Sequence, residues 1–100
     1  MKLIPLARAY RPTPVAGEPA PSVHVDVIWN TDGVPLDRPS TYSISVGTWP
    51  LAERLVKAIH AGVVFPDPKV KTDVYGKTYV EATCKVMGRY LNADLKRLGY

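Results

Sequence analysis

Large apolar side chains recur at every second position of residues 22–30, and this is the clearest pattern in the chain. The recurring residues are Val23, Val25, Val27 and Trp29. A period of two places them on one face of a β-strand and places His24, Asp26 and Ile28 on the other. We therefore predict a strand here with one buried face.

A second pattern occurs twice: a strand that begins with Thr-Tyr is followed by a helix that a glycine ends. The two copies are residues 41–62 and 78–99, and each follows another extended apolar stretch. This repeated pattern predicts two consecutive ββα units. In the first unit we expect Thr48 to cap the helix, Pro50 to lie in its first turn and Gly62 to end it.

The second unit supports two interpretations over residues 78–86. Its β-branched alternation favours a strand, while the spacing of several apolar residues also fits one face of a helix. The end of the chain is rich in helix formers. We predict a strand over residues 78–82, an N-cap at Thr83 and a helix over residues 84–98 that Gly99 ends.

The first 21 residues are rich in proline, which predicts an extended arm (1–21) before a single domain (22–100). Two ββα units side by side predict an α+β fold, with a four-stranded, mostly antiparallel sheet and both helices on one face. The other face is left to solvent, to the arm or to a partner. Arg8, Tyr10 and Arg11 are the candidate partner contacts of the arm.

Composition and motifs point away from an enzyme. A chain of 100 residues, 46% of them hydrophobic, buries one modest core with little room for an enclosed active site. Gly76-Lys77-Thr78 copies only the tail of a phosphate-binding loop, and it falls in a predicted hairpin rather than before a helix. His24, Asp26 and the serines of the next strand share an outer face but lack a buried acid and an oxyanion hole. We expect no catalytic site, cofactor or metal.

The cysteine content and the N-terminal segment fit a protein of a reducing cytoplasm. The single Cys84 cannot form an internal disulfide. Pro5 and Arg8 interrupt the first apolar stretch, so we expect neither a signal sequence nor a membrane span.

Positive charge is concentrated near the end of the chain, within a formal net charge of +4. Lys85, Arg89, Asn92 and Lys96 follow one another at intervals of four, three and four residues. On the predicted second helix they would lie along one stripe. With Arg97 and Lys77 they form a candidate surface for nucleic acid or for a protein partner.

Three segments resemble a family of small proteins encoded by mycobacteriophages. They are residues 41–46 (TYSISV), 51–64 (LAERLVKAIHAGVV) and 72–100 (TDVYGKTYVEATCKVMGRYLNADLKRLGY). The resemblance implies a phage product in the cytoplasm of an actinobacterial host. The family has no assigned enzymatic activity, and the resemblance assigns a role to no residue.

The leading hypothesis is therefore an accessory protein that binds a host protein through the open sheet face, with the arm as an adjunct, and that inhibits growth if the host protein is essential. This hypothesis predicts an exposed apolar or aromatic patch. The alternative is a sequence-tolerant DNA- or RNA-binding module that uses the basic stripe. A homodimer is compatible with either function.

Overall fold

The computed structural model describes residues 3–31, 36–37 and 42–100. The chain forms strands β1 (Leu3–Tyr10), β2 (Val23–Thr31) and β3 (Tyr42–Gly47), helix α1 (Trp49–His60), strands β4 (Lys69–Thr72) and β5 (Thr78–Glu81), a 3₁₀ helix (Gly88–Tyr90) and helix α2 (Leu91–Arg97). The α+β class is confirmed, and so is the order ββα, ββα after β1. Thr41, the predicted start of the first repeat, lies outside the described residues.

The strands form two antiparallel sheets, one of three strands in the order β1-β2-β3 and one of two strands, β4-β5. The prediction of a single four-stranded sheet is wrong. Strand β2 is paired along both of its edges, so the second hairpin cannot join it. The far edge of β3 faces the segment around Cys84 and Gly88 across a shared cleft.

The first half of the predicted arm is an edge strand of the larger sheet. The sequence analysis had predicted that the whole arm precedes the sheet. Pro5 is the sole proline within β1, and the other prolines of the arm follow the strand. Proline lacks an N–H donor and is tolerated on edge strands. The N–H of Ala7 donates to His60 Nε2 at 3.1 Å, which ties this strand to the end of α1.

The core lies between the three-stranded sheet and α1. The valines of β2 are completely buried, as the alternation predicts, and they belong to one cluster with the buried face of α1. That face consists of Ala52, Leu55, Ala58 and Ile59. Burying these side chains is the main favourable contribution to the stability of the fold.

Gly62 ends α1, as predicted, with a backbone φ of +83° that only glycine adopts readily. Its N–H donates to Ile59 O at 3.0 Å, and the N–H of Val63 donates to Ala58 O at 3.3 Å. This pair of bonds is the Schellman motif. At the start of the helix, Thr48 holds the N-cap position but its side chain makes no capping hydrogen bond.

The second helix begins at Leu91, seven residues later than predicted, and the predicted N-cap at Thr83 is wrong. Strand β5 ends at Glu81, and residues 82–87 are neither helix nor strand. Val86 in this segment is buried in the core. A helix through the segment would withdraw that side chain, so tertiary packing outweighs the local helical preference.

Asp94 and Arg97 of α2 hold this irregular segment in place. Asp94 Oδ2 accepts a hydrogen bond from the N–H of Met87 at 2.8 Å. Arg97 Nη2 donates to Asp94 Oδ1 at 3.2 Å and to Lys85 O at 3.1 Å. The bond from Met87 lowers the pKa of the Asp94 carboxyl, partial desolvation opposes this, and Arg97 lowers the pKa further.

Replacing Gly62 with alanine should lower the free energy of unfolding by about 1 kcal/mol, because alanine is strained at positive φ. Chemical denaturation measures this change. Gly88→Ala is the matched control, since Gly88 does not have a positive φ and a Cβ there would lie 3.8 Å from Ser45 O, an ordinary contact. Equal losses in both variants would contradict a conformational role for Gly62.

Asp94→Asn should lower the melting temperature at neutral pH and flatten its decline in acid. The folded state lowers the pKa of Asp94, so its stabilising contribution is present above the pKa of the unfolded chain and is lost as the pH falls through the folded pKa. Thermal unfolding between about pH 3 and 7 covers this range. Asp67→Asn is the control, because within the described part of the chain Asp67 forms only an exposed pair with Lys69 at 3.5 Å. Parallel pH profiles for wild type and Asp94→Asn would count against this role of Asp94.

Candidate interaction surface

The outer face of the three-stranded sheet carries an exposed apolar patch. Three side chains from β1 and β2 form this outer-face patch, Ile4, Leu6 and Ile28, and they are 41%, 49% and 46% exposed. The register pairs Leu6 directly with Ile28, so both lie on the same face. The exposed apolar patch that the sequence hypothesis requires is therefore present.

A polar row lies beside the patch on the same face. The guanidinium carbon of Arg8 lies 5.6 Å from the ring centroid of Tyr10, and the rings of Tyr10 and His24 are 5.9 Å apart. Two of the predicted arm contacts, Arg8 and Tyr10, thus belong to the sheet face. Arg11 is exposed just beyond the end of β1. The role of all three as partner contacts stays a prediction.

A concave site opens where the patch meets the polar row. We call it the outer-face pocket; it has a volume of about 300 Å³ and is lined by Leu6, Ala7, Arg8, Asp26 and Ile28. Asp26 is partly exposed as a residue, while its Oδ1 is buried and accepts no hydrogen bond from the described residues. Arg8 lies directly opposite Asp26 in the register, yet the described residues include no ion pair between them. The pocket therefore combines apolar walls with one side chain of each charge.

The serines of β3 face the same side, but they do not form a catalytic relay with their neighbours. His24 pairs with Ser45 in the register and Asp26 pairs with Ser43. No hydrogen bond joins these four side chains to one another in the described part of the chain. The arrangement lacks the linked nucleophile and base that such catalysis requires.

The predicted basic stripe does not exist as a helical surface. Lys85 lies in the irregular segment and Arg89 in the 3₁₀ helix, which leaves Asn92, Lys96 and Arg97 on α2. The spacing argument fails because it assumed one continuous helix. The proposed contact roles of these residues are separate from this geometry and stay predictions.

Two of the predicted α2 contacts already have structural partners. Asn92 Oδ1 accepts a hydrogen bond from Arg54 Nη1 at 2.7 Å. Arg54 Nε also donates to Tyr100 O at 2.7 Å, so this arginine joins α1 to the end of the chain. Arg97 is held by Asp94 and by Lys85 O.

The β4-β5 hairpin presents a second exposed feature, which we call the hairpin tip: Val74 and Tyr75. These side chains are 93% and 84% exposed. Asp73 Oδ1 accepts hydrogen bonds from the N–H groups of Tyr75 at 2.8 Å and Lys77 at 2.9 Å, and Gly76 adopts a φ of +77°. Lys77, predicted as a contact, is part of this turn, and Tyr75 lines one open concavity with it.

Sequence analysis placed Ile28 on the outer face of its strand but missed Ile4 and Leu6. Ile4 and Leu6 alternate with residues of the core face in the same way as their neighbours on β2. That alternation was the available signal, and the prolines of the arm obscured it. No local signal marks the unsatisfied oxygen of Asp26, because burial and missing partners are properties of the folded chain.

Neither helix of the described chain is long and apolar enough to span a membrane. Comparison of the chain with models of protein families, with curated proteins and with solved structures finds no match.

Proposed function

We propose that this is a non-enzymatic phage accessory protein that acts in the cytoplasm of an actinobacterial host by binding a host protein. The outer face of the three-stranded sheet is the contact surface. The observation that carries the proposal is the exposed apolar patch beside the two charged residues of the outer-face pocket, Arg8 and Asp26. Apolar area supplies affinity, and the charged side chains supply specificity.

The size of the outer face indicates how much further the contact must extend. Three strands of about eight residues cover roughly 27 by 14 Å. A stable protein interface buries about 800 Å² of each partner, which is more than such a face supplies alone. Residues 11–22, which connect β1 to β2 and are largely exposed, are available to extend the surface. The arm thus contributes to binding as an adjunct to the sheet.

Inhibition of host growth follows if the bound protein is essential to the host. Occupying a surface of a host protein requires no chemistry from the phage protein, only complementarity. A domain of this size is adequate for that task, since a few anchoring side chains carry most of the binding energy in many interfaces. Host takeover by this route requires no cofactor.

Binding of DNA or RNA is the alternative proposal. It relied on a stripe of residues along one continuous helix, and residues 84–90 do not belong to that helix. Lys85, Arg89 and Lys96 still contribute positive charge near the end of the chain. Nucleic-acid binding by such residues falls steeply as salt rises. Running the experiment below with and without nuclease separates the two functions.

A double variant of the patch, Leu6→Thr with Ile28→Thr, should lose a host protein that the wild-type chain retains from nuclease-treated mycobacterial lysate. Threonine preserves the preference for strand while removing apolar area. After identification and purification of that protein, its affinity for the double variant should be about 10- to 100-fold weaker. Isothermal titration calorimetry measures this change.

The matched control is Met87→Thr with Tyr90→Thr, which removes apolar area from two similarly exposed positions outside both the patch and the arm. The control should bind like wild type, and all variants should melt within a few degrees of it. Full retention of the host protein by the patch variant would refute the outer face as the contact surface. Loss of every partner on nuclease treatment would favour the nucleic-acid alternative.

A further inference from the structure

The free edge of β1 is open over only part of its length. The N–H of Ala7 donates to His60 Nε2 and therefore points away from β2. In an antiparallel ladder this orientation returns at every second residue, so the N–H and C=O of Ala9 also point outward. Pro5 has the same orientation but carries no N–H. The edge is thus closed at Pro5 and at the N–H of Ala7, and no hydrogen bond from the described residues reaches the outward groups of Ala9.

A groove lies between this open edge and helix α1. We call it the edge groove; its volume is about 360 Å³, and its lining residues are Ala7, Arg8, Ala9, Glu53, Val56 and Lys57. The three helical residues lie on the same side of α1 as His60, at intervals of three, one and three. Val56 is partly buried, whereas Glu53 and Lys57 are exposed. The groove therefore has an apolar wall between charged side chains, and it follows the edge up to the residue where His60 closes it.

We propose that the edge groove binds an extended, acidic peptide segment of another protein as an additional antiparallel strand beside β1. The peptide residue opposite Ala9 exchanges two backbone hydrogen bonds with it, one to the C=O of Ala9 and one from its N–H. Side chains directly opposite each other in paired strands point to the same face. Ala9 packs against the core on the side of α1, so the opposite peptide side chain is directed towards Val56.

The backbone groups of Ala9 select a peptide over other classes of ligand. An outward donor and an outward acceptor on one residue are matched by the C=O and N–H of one residue in an extended chain. A free anion would bond to the N–H and leave the C=O without a donor. The phosphates of a nucleic-acid backbone have the same shortcoming. The small side chains of Ala7 and Ala9 also leave room for a second backbone to approach the edge.

The charges around the groove favour an acidic peptide over a second copy of this chain. Arg8 and Lys57 line the groove, and neither forms an ion pair with another described residue. Glu53 supplies the opposite charge but leaves an excess of one positive charge. Pairing two copies about a two-fold axis at Ala9 would bring the cations of both copies together, and like charges in such positions are destabilising. A carboxylate beside the apolar residue of the peptide would instead meet Arg8 or Lys57.

Selection of random linear octapeptides on the purified chain supplies the probe for this proposal. Enriched peptides should share an apolar residue with acidic neighbours and should lack proline in their centre. Fluorescence anisotropy of a labelled, enriched peptide measures its affinity, which we expect at roughly 1–100 µM. Methylating one peptide nitrogen at a time should weaken binding at alternate positions only, because alternate N–H groups of a strand face its neighbour.

Two variants of the chain test the groove itself. Ala9→Pro removes the outward donor and should weaken peptide binding about 10-fold or more. It leaves the ladder with β2 complete, and Pro5 already occupies a position of the same orientation in β1. Val56→Glu removes the apolar wall, adds a negative charge and should weaken binding to a similar extent. Val74→Glu is its matched control and should bind like wild type, since Val74 is 93% exposed and lies outside the groove.

Three results would overturn the proposal: a selection that enriches no peptide, an affinity that neither Ala9→Pro nor Val56→Glu lowers, or a wild-type dimer that Ala9→Pro abolishes. The last result would identify a second copy as the occupant of the groove. Thermal unfolding checks the folding of each variant, and Val56→Glu tests the groove without altering the backbone of β1. Peptide binding in the edge groove is independent of the outer face. The assay contains only the purified chain and a peptide, so it and the lysate experiment can fail separately.

Discussion

The pairing of β2 along both of its edges is the constraint on which the rest of the structure depends. Its valines are completely buried, so the register of β1 and β3 against it decides which of their side chains enter the core. A shift of one residue would exchange the two faces of the sheet. Because α1 packs on the core face, the residues that alternate with the valines are left as the outer face. The candidate interaction surface is thus a direct consequence of how the core is built.

Sequence analysis succeeded where a local rule coincides with the tertiary structure. The alternation in β2 and the glycines that end both helices are such cases, and Gly99 adopts a positive φ just as Gly62 does. It failed where a distant partner decides the local conformation. Residues 84–87 directly precede the helical residues 88–97. The N–H of Met87 donates to the Asp94 carboxylate, however, and the N–H of Lys85 donates to the carbonyl of Val64, so these bonds hold the segment out of the helix. The pairing of β1 likewise depends on a strand that begins more than ten residues later.

The same distinction explains which parts of the surface were predictable. Arg8 and Tyr10 were chosen as contacts on a supposed free arm, and they lie on the outer face because their strand pairs with β2. The prediction of a basic stripe assumed one continuous helix, and the helix begins too late in the chain to include Lys85 and Arg89. The pocket combines side chains of two strands that only the register brings together, so no reading of either strand alone could reveal it.

The outer face is also costly to the isolated domain. Ile4, Leu6 and Ile28 stay between 41% and 49% exposed, so the folded chain lacks the stabilisation that their full burial would give, about 25 cal/mol for each Å² of apolar surface. Exposed apolar residues add a tendency to associate. The same exposure becomes favourable once a partner supplies an apolar surface. The three side chains of the patch thus weaken the isolated domain and at the same time supply a driving force for binding.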